Sequence, residues 1–320
     1  MNKIFVFFIL SFLHQICLSQ INLTLDARQI KPVKLSDISS ESCYVVLNID
    51  SIIDIIVTDD FLFISKGAFW GDKVYQFDYT GKLIRAFGDQ KGFWNFSFNT
   101  EKNMLTINYK EEIKVWDLNG TFLKTIKLPE STIYPSQILG FKQNNLYILQ
   151  LIKQNNNELC RIHRMNYETG EMEMIIEKMY PFPKIVMRNA WLSSFECKLH
   201  VGFHDDNVIY EINGNSERPA IKYKILNYPE EKQFDIYHKK MFVGQYLHIL
   251  YDRTMFYWYD MKERKEFQVR GGIDDDIFRT GKIDNFQIND NFLLFSTKRR
   301  TLKEINIGNN QTAIFIVKIK

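Results

Sequence analysis

Apolar and polar residues alternate along most of this chain in short runs that are broken by turn-forming residues. The run Val74–Phe87 has Asp78 and Gly81 at its centre, and the run Ile113–Ile126 repeats the same turn pattern at the same spacing. An aspartate readily accepts hydrogen bonds from the backbone of its own turn, and a glycine adopts the positive φ that closes a short hairpin loop. Each run is therefore predicted to form a β-hairpin.

A unit of four predicted strands that ends in such a hairpin recurs six times along the chain. The turn residues of successive hairpins lie 39 to 49 residues apart: Asp78, Asp117, Asn166, Asn213, Asp260 and Asn306. This is the spacing of propeller blades, and a closed ring buries both faces of every blade. The sequence predicts an all-β, six-bladed β-propeller with four antiparallel strands per blade at residues 43–320, after an N-terminal extended segment at residues 20–42. A β-sandwich is the alternative fold, but it does not account for six repeats of one hairpin.

Residues 1–19 have the pattern of a signal peptide. Lys3 supplies a positive charge, and the apolar run Ile4–Leu13 is too short to cross roughly 30 Å of hydrocarbon. Cys17 and Ser19 are small residues suitably placed for cleavage before Gln20. Lipid attachment at Cys17 is disfavoured, because the residues ahead of it are not small. The protein is predicted to be exported, either periplasmic or secreted, and not an integral membrane protein.

Composition narrows the classes of partner. The net charge of +3 is too small to predict nucleic-acid binding. The remaining cysteines, Cys43, Cys160 and Cys197, lie in apolar, strand-like contexts and are predicted to be buried. They show no spacing typical of zinc ligands.

The sequence contains no nucleophile motif, P-loop or dinucleotide-binding motif. Asp274-Asp-Asp276 resembles a calcium loop in composition but lacks the register of one, so it is interpreted as a solvated loop. The sequence predicts no cofactor. Calcium is the one ion that remains a candidate cofactor. His204-Asp-Asp206 has side chains suited to a divalent metal or to acid–base work, but a polar turn between two strands is the favoured interpretation.

Five stretches resemble one known family: Val33–Asp37, Tyr44–Leu47, Thr58–Ile64, Phe77–Ile84 and Phe315–Lys320. Together they resemble the exported six-bladed β-propellers of Bacteroides-type bacteria, which are related to NHL-type repeats. The resemblance covers nearly all of the chain after the leader. It implies a propeller fold and export, and it supplies no catalytic residue.

Propeller geometry sorts the connections into two faces. The turns between strands one and two, and between three and four, lie on one face and are short in this sequence, whereas the connections on the other face are longer. Functional residues concentrate on long loops held by a rigid scaffold. The long-loop face around the central funnel is therefore the predicted binding site, and its predicted ligand-binding residues are Trp70, Trp94, His204, Asp205 and Arg279.

The sequence favours a non-enzymatic, exported scaffold that binds a small molecule, a glycan or an envelope protein. The alternative is a metal-assisted hydrolase or lyase acting on a lactone or sugar in the central funnel, with carboxylates from several blades on one ion. A third possibility is a protein–protein platform that uses the sides of the blades.

Overall fold

A computed structural model describes residues 20–26, 33–49, 52–67, 71–88, 92–131, 136–142, 144–181, 190–204, 206–214, 216–226, 239–252, 255–270, 272–283, 286–289, 291–297, 301–302, 305–307 and 311–320. The predicted signal peptide lies outside these ranges. Within them the chain forms six sheets of four or five strands, which confirms the predicted all-β, six-bladed propeller.

The N-terminal part contributes two strands and one short helix before the first blade begins. They are β1 (Ile21–Asp26), α1 (Leu35–Ile38) and β2 (Ser39–Leu47).

The first three blades each consist of four antiparallel strands in chain order. Blade 1 is β3 (Ile52–Val57), β4 (Leu62–Gly67), β5 (Gly71–Phe77) and β6 (Leu83–Phe87); blade 2 is β7 (Asn95–Asn99), β8 (Met104–Asn108), β9 (Glu112–Asp117) and β10 (Phe122–Lys127); blade 3 is β11 (Gln137–Lys142), β12 (Asn145–Gln154), β13 (Asn157–Asn166) and β14 (Met172–Pro181).

Blades 4 and 5 follow the same order, and a small hairpin separates blade 5 from blade 6. Blade 4 is β15 (Ala190–Phe195), β16 (Lys198–Phe203), β17 (Val208–Asn213) and β18 (Ser216–Leu226); blade 5 is β19 (Lys239–Val243), β20 (Tyr246–Asp252), β21 (Met255–Asp260) and β22 (Lys265–Arg270); the hairpin is β23 (Ile273–Asp275) and β24 (Gly281–Ile283).

Blade 6 is assembled from both ends of the propeller sequence. Its own strands are β25 (Gln287–Asn289), β26 (Phe292–Thr297) and the C-terminal β29 (Thr312–Ile319), and a hairpin of β27 (Thr301–Leu302) and β28 (Ile305–Asn306) lies between the last two. The sheet order is β2-β29-β26-β25, so the N-terminal β2 is the outermost strand. This strand closes the ring.

The prediction for the last blade was therefore wrong in one respect. Asn306 was expected to turn a hairpin that supplies the third and fourth strands, but Asn306 pairs with Thr301 inside β28. The fourth strand comes from Ser39–Leu47, which pairs with β29 along its whole length. A pairing partner so distant along the chain leaves no local signal in the sequence.

The predicted turn chemistry is present in blades 1, 2, 3 and 5. Asp78 Oδ1 accepts hydrogen bonds from the backbone N–H groups of Thr80 and Lys82, and Gly81 has a φ of +84°. The equivalent side-chain oxygens of three further predicted turn residues accept backbone N–H groups in the same way: Asp117, Asn166 and Asp260.

Six clusters of buried apolar side chains lie in the described part of the chain, one at each contact between neighbouring blades. Successive residues of a strand point to opposite faces, so the two faces of one blade serve different clusters. In β29, Phe315 packs towards blade 5 and Ile314 packs towards blade 1. Each blade is thus held by both neighbours.

The N-terminal segment fastens distant blades to each other. β1 pairs in parallel with β18 and becomes a fifth strand of blade 4. Val33 O then accepts a hydrogen bond from Asp274 N, and Ser36 bonds the Asp276 carboxylate through its N–H and its hydroxyl. Leu35 of α1 is fully buried in the cluster between blades 5 and 6.

Two of the three cysteines differ from the prediction. Cys160 is buried as expected, but Cys43 and Cys197 are exposed. Cys43 lies on the outermost strand β2, and Cys197 lies in the surface turn between β15 and β16, so no neighbouring blade covers either side chain.

Candidate functional site

The first strand of each blade is the innermost, and these six strands surround the central channel. The inner strands are β3, β7, β11, β15, β19 and β25, and contacts join β3 to β7, β7 to β11, β11 to β15, β15 to β19, and β25 to β3. The topology makes all six begin on one face and end on the other. We call the face where they begin the loop face, because it carries the blade-to-blade connections, and the opposite face the turn face.

Polar residues mark the loop-face end of the inner strands. Asn95, Gln137, Lys239 and Gln287 are each the first residue of their strand. In blade 1 the polar residue is Asp54, which lies at a β-bulge near the start of β3. Five of the six inner strands therefore present a polar side chain at this end of the channel.

The amide side chains in this set join neighbouring blades. Gln287 Nε2 donates to Ile53 O at 2.8 Å, and Gln287 Oε1 accepts from Ile55 N at 3.1 Å, which ties blade 6 to blade 1. Asn95 Nδ2 donates to Ile138 O at 2.7 Å and ties blade 2 to blade 3. These bonds satisfy backbone groups that the channel edge would otherwise leave without a partner.

Asp54 and Lys239 are the charged members of the set. Both side chains are half-buried, so they keep some contact with solvent although the inner strands surround them. Burial raises the pKa of Asp54 to about 6, while its bond from Ile55 N and the Lys239 charge act in the opposite direction. Burial likewise lowers the pKa of the Lys239 ammonium, against the effect of Asp54.

The two charges influence each other without forming a direct ion pair in the described structure. They come from blades 1 and 5, which are separated by blade 6. Perturbed pKa values of this kind are typical of functional sites, where charged groups are kept partly desolvated and unneutralised. The pair is therefore the strongest candidate for recognition at the loop-face end of the channel.

His248 lies near Lys239 and is buried in aromatic surroundings. Its ring contacts those of Phe256, Trp258 and Phe286 with centroid distances of 4.8 to 6.0 Å. Burial, and secondarily the Lys239 charge, lowers the pKa of His248 to about 3. The imidazole is therefore neutral at physiological pH and adds no positive charge to the channel.

The structure places three of the five predicted ligand-binding residues. Trp94 is half-buried at the loop-face entrance to β7. Its backbone N–H donates a hydrogen bond to Asn108 O at 2.8 Å. His204 directly follows β16 on the loop face, but it is 4% exposed, and its ring lies 6.2 Å from that of Trp191. Trp70 and Asp205 lie outside the described residues.

Arg279 is exposed in the connection between β23 and β24 and has a φ of +60°. The same connection contains Asp276, whose carboxylate is bonded by Ser36 at the start of α1. Helix α1 leads into β2 on the turn face, because Ile38 O accepts from Lys320 N at the end of β29. Arg279 thus belongs to a loop fastened near the turn face at the outer edge of blades 5 and 6.

The two acidic sequences considered as metal sites have structural partners. Asp206 accepts hydrogen bonds from Tyr210 Oη at 2.6 Å and from Val208 N at 3.1 Å, as expected for a polar turn. Asp275 accepts the N–H groups of Phe278 and Thr280, both at 2.8 Å, and so shapes its own loop. Among the described residues, no group of three or more His, Cys, Asp or Glu side chains is arranged to hold a metal ion.

The sequence predicted a site on the long-loop face, and the residues selected for it came from the loops and not from the inner strands. Asp54 is the one charged residue of the otherwise apolar strand β3, whereas Lys239 is followed by a second lysine, Lys240, in β19. Their mutual influence could not be read from the sequence, because it depends on blades that are not neighbours in the ring.

No protein-family model matches this chain, and no curated protein matches it. A predicted exported protein of Bacteroides fragilis is similar in structure, with a TM-score of 0.63 and 12% identity over 94% of this chain and 100% of that one. BamB of Moraxella catarrhalis gives a TM-score of 0.44 at 11% identity over 74% and 68% of the two chains. The hydrazine synthase of Kuenenia stuttgartiensis gives 0.46 at 12% identity over 65% and 64%.

At these identities the likeness shows the fold alone. The match to the Bacteroides protein covers the whole of that chain, so the resemblance to an exported propeller of this kind is confirmed at the level of the fold. It does not bear on NHL-type repeats or on ligands. In the part of the chain that the structure describes, no helix has the length and hydrophobicity needed to span a membrane.

Proposed function

We propose that this protein is an exported binding propeller that recognises a small polar ligand at the loop-face end of its channel. The observation that supports the proposal is the Asp54–Lys239 pair: two opposite, partly desolvated charges in one channel that do not neutralise each other by direct contact. A ligand with both a hydrogen-bond donor and an anionic or acceptor group would satisfy both side chains. Sugar acids and amino acids have this chemistry.

The rest of the channel end supports binding rather than chemistry. The flanking amides of Gln287 and Asn95 are engaged in joining blades, so they hold the inner strands rigid. A rigid site loses little entropy on binding, which favours affinity for a small ligand. The aromatic wall around His248 further limits the movement of β19 and β20.

The first test concerns ligand recognition. A thermal-shift and calorimetric survey of hexuronic acids, neutral hexoses and amino acids should find saturable binding for a ligand that carries both groups. Asp54→Asn and Lys239→Met should each weaken that binding by about tenfold or more, since each removes a charge-assisted hydrogen bond. The matched control is Asp59→Asn, which changes an exposed carboxylate in the β3–β4 turn on the opposite face. Unchanged affinity in both channel variants would contradict the proposal.

The second test concerns how much the ionised Asp54 carboxylate lowers the free energy of unfolding. Its pKa is about 6 in the folded protein against an ordinary value of 3.8, so between these pH values the folded state holds a proton that the unfolded state has released. The contribution of Asp54 to stability therefore falls as pH rises from about 4 to about 6. Asp54→Asn should raise the free energy of unfolding by about 1–2 kcal/mol at pH 7, after allowing for solvent contact, with no gain below pH 4.

Urea unfolding of both proteins across this pH range measures the effect, and Asp59→Asn again serves as the control. A variant that is less stable than wild type at pH 7 would show that the carboxylate supports the fold. A variant that is more stable but binds its ligand less well would show that stability is sacrificed for recognition.

One observation favours the enzymatic alternative. A carboxyl group with a pKa of about 6 can accept a proton near neutral pH, as a general base in a lyase or hydrolase must. Turnover of a lactone or a uronic-acid glycoside that is lost in Asp54→Asn, with a pH profile rising near pH 6, would favour an enzyme.

We further infer that the protein is exported through the predicted leader at residues 1–19, so that the mature protein begins near Gln20. We also infer that it is related to NHL-type propellers.

A further inference from the structure

The opposite, turn-face end of the channel contains a cavity that none of the predicted ligand-binding residues lines. There the inner strands of blades 4 and 5 and the neighbouring turns enclose a cavity of about 520 Å³. We call it the turn-face chamber; its lining includes Lys142, Phe195, Cys197, Met241, Lys262 and Asn291. Its volume lies within the range of small-molecule sites.

A smaller cavity of about 120 Å³ adjoins the chamber between blades 4 and 5. The two share Phe195, Glu196 and Phe242 in their walls. The smaller cavity is also lined by His200, which is 4% exposed and whose Nδ1 has no hydrogen-bond partner of normal geometry. A buried polar atom left in this state costs free energy unless water or a ligand satisfies it.

The turn at the edge of the chamber has an unusual sequence for its geometry. Glu196 and Cys197 connect β15 to β16 with φ values of +49° and +61°. Two-residue turns with two positive φ values favour Asn and Gly, because other side chains strain the backbone there. Both side chains line the chamber. Residues that hold a backbone conformation which their side chains disfavour occur frequently at functional positions.

The chemistry of the lining defines the class of ligand. The walls combine an apolar surface, in which half-buried Phe195 stacks on Phe242 at 4.7 Å, with the ammonium groups of Lys142 and Lys262. The lining contains three lysines, Lys142, Lys262 and Lys320, and one carboxylate side chain, Glu196, so its positive side chains outnumber its negative one. We propose that the turn-face chamber binds a small organic anion with an apolar body, such as an aromatic carboxylate or sulfonate. This inference does not depend on the function proposed for the loop-face end.

The test uses 8-anilinonaphthalene-1-sulfonate, a fluorescent anion with an aromatic body, and phenylacetate as its competitor. The wild-type protein should bind the dye saturably, and phenylacetate should displace it. The double variant Lys142→Ala/Lys262→Ala should lose about tenfold or more in affinity for the dye, because it removes the charges that attract the sulfonate. Lys82→Ala/Lys127→Ala is the matched control, since it removes two exposed lysines of blades 1 and 2 and should bind as wild type.

A chemical block provides a readout that does not depend on the lysines. In a protein that begins at Gln20 and so lacks Cys17, and that carries Cys43→Ser, Cys197 is exposed and Cys160 is buried, so a bulky maleimide should modify Cys197 alone. Modification should abolish dye binding, and bound dye should slow the modification. Asp54→Asn should leave dye binding unchanged, so a failure at one end of the channel is distinguishable from a failure at the other.

The inference is overturned by any of three results. The first is no saturable binding of either anion, and the second is full affinity in the Lys142/Lys262 double variant. The third is dye that still binds after Cys197 is modified. In that case the dye occupies another apolar surface, such as the exposed Phe122 and Leu123 on the outer strand of blade 2.

Discussion

A chain that ends before Thr312 is expected to be insoluble and unfolded. The deletion removes β29, which pairs with β26 on one side and with the ring-closing β2 on the other. Every residue of β29 except Lys318 is buried. Its residues Ala313, Phe315, Val317 and Ile319 pack towards blade 5, and Ile314 and Ile316 pack towards blade 1.

The expected magnitude follows from this packing. These six buried apolar side chains contribute about 10 kcal/mol in total, which is comparable with the entire stability of a typical domain. The deletion also leaves β2 without a partner and exposes the edge of β26, and an exposed hydrophobic edge promotes aggregation. Soluble yield, size-exclusion chromatography and circular dichroism measure the outcome.

Deletion of residues 20–26 is the control for this experiment. It removes β1, which covers only the outer edge of β18 in blade 4 and leaves the ring closed. That protein should fold, with reduced stability, and should elute at the same oligomeric state as the wild type. A soluble, cooperatively unfolding chain that lacks Thr312–Lys320 would show that the ring does not depend on β2 for closure.

The second large effect is expected at Lys240, between blades 4 and 5. The side chain is 0% exposed. Its ammonium donates to Tyr223 Oη at 3.1 Å and to His204 O at 3.4 Å, and it also contacts Asp206 O. Lys240→Ala should lower the free energy of unfolding by about 3–5 kcal/mol, because it leaves a cavity and several buried oxygens without a donor. Lys222→Ala removes a lysine side chain of β18 that is exposed to solvent, and it should change the free energy of unfolding little.

The stem of Lys240 passes directly over Gly202. A Cβ added to Gly202 would lie 2.3 Å from Lys240 Cγ and 3.0 Å from Lys240 O. Gly202→Ala should therefore be destabilising in the wild-type background and much less so in Lys240→Ala, where the space is free. Chemical denaturation of the two single variants and the double variant measures this coupling. Additive effects would mean that the two residues do not share this contact.

The candidate loop-face site illustrates how far the sequence leads. Alternation and turn spacing located the inner strands and the end of the channel where they begin. They did not identify Asp54 and Lys239, because a charged residue at a strand start is equally suited to an exposed edge. Only the closed ring brings these two residues to one channel and desolvates them enough to shift the pKa of each. The turn-face chamber was missed for the same reason, since its walls come from several blades.

The local features of this protein were determined by the sequence itself. Asp78 with Gly81 forms its turn through bonds within four residues, and alternating apolar residues define strands whatever their partners are. Ring closure was decided by the tertiary structure. Ser40 Oγ bonds Lys318 O across 278 residues, and the pairing of β2 with β29 is favourable only once the intervening blades have curved round to meet it. Turn and strand preferences act over a few residues, whereas closure and the two channel ends depend on contacts that exist only in the assembled ring.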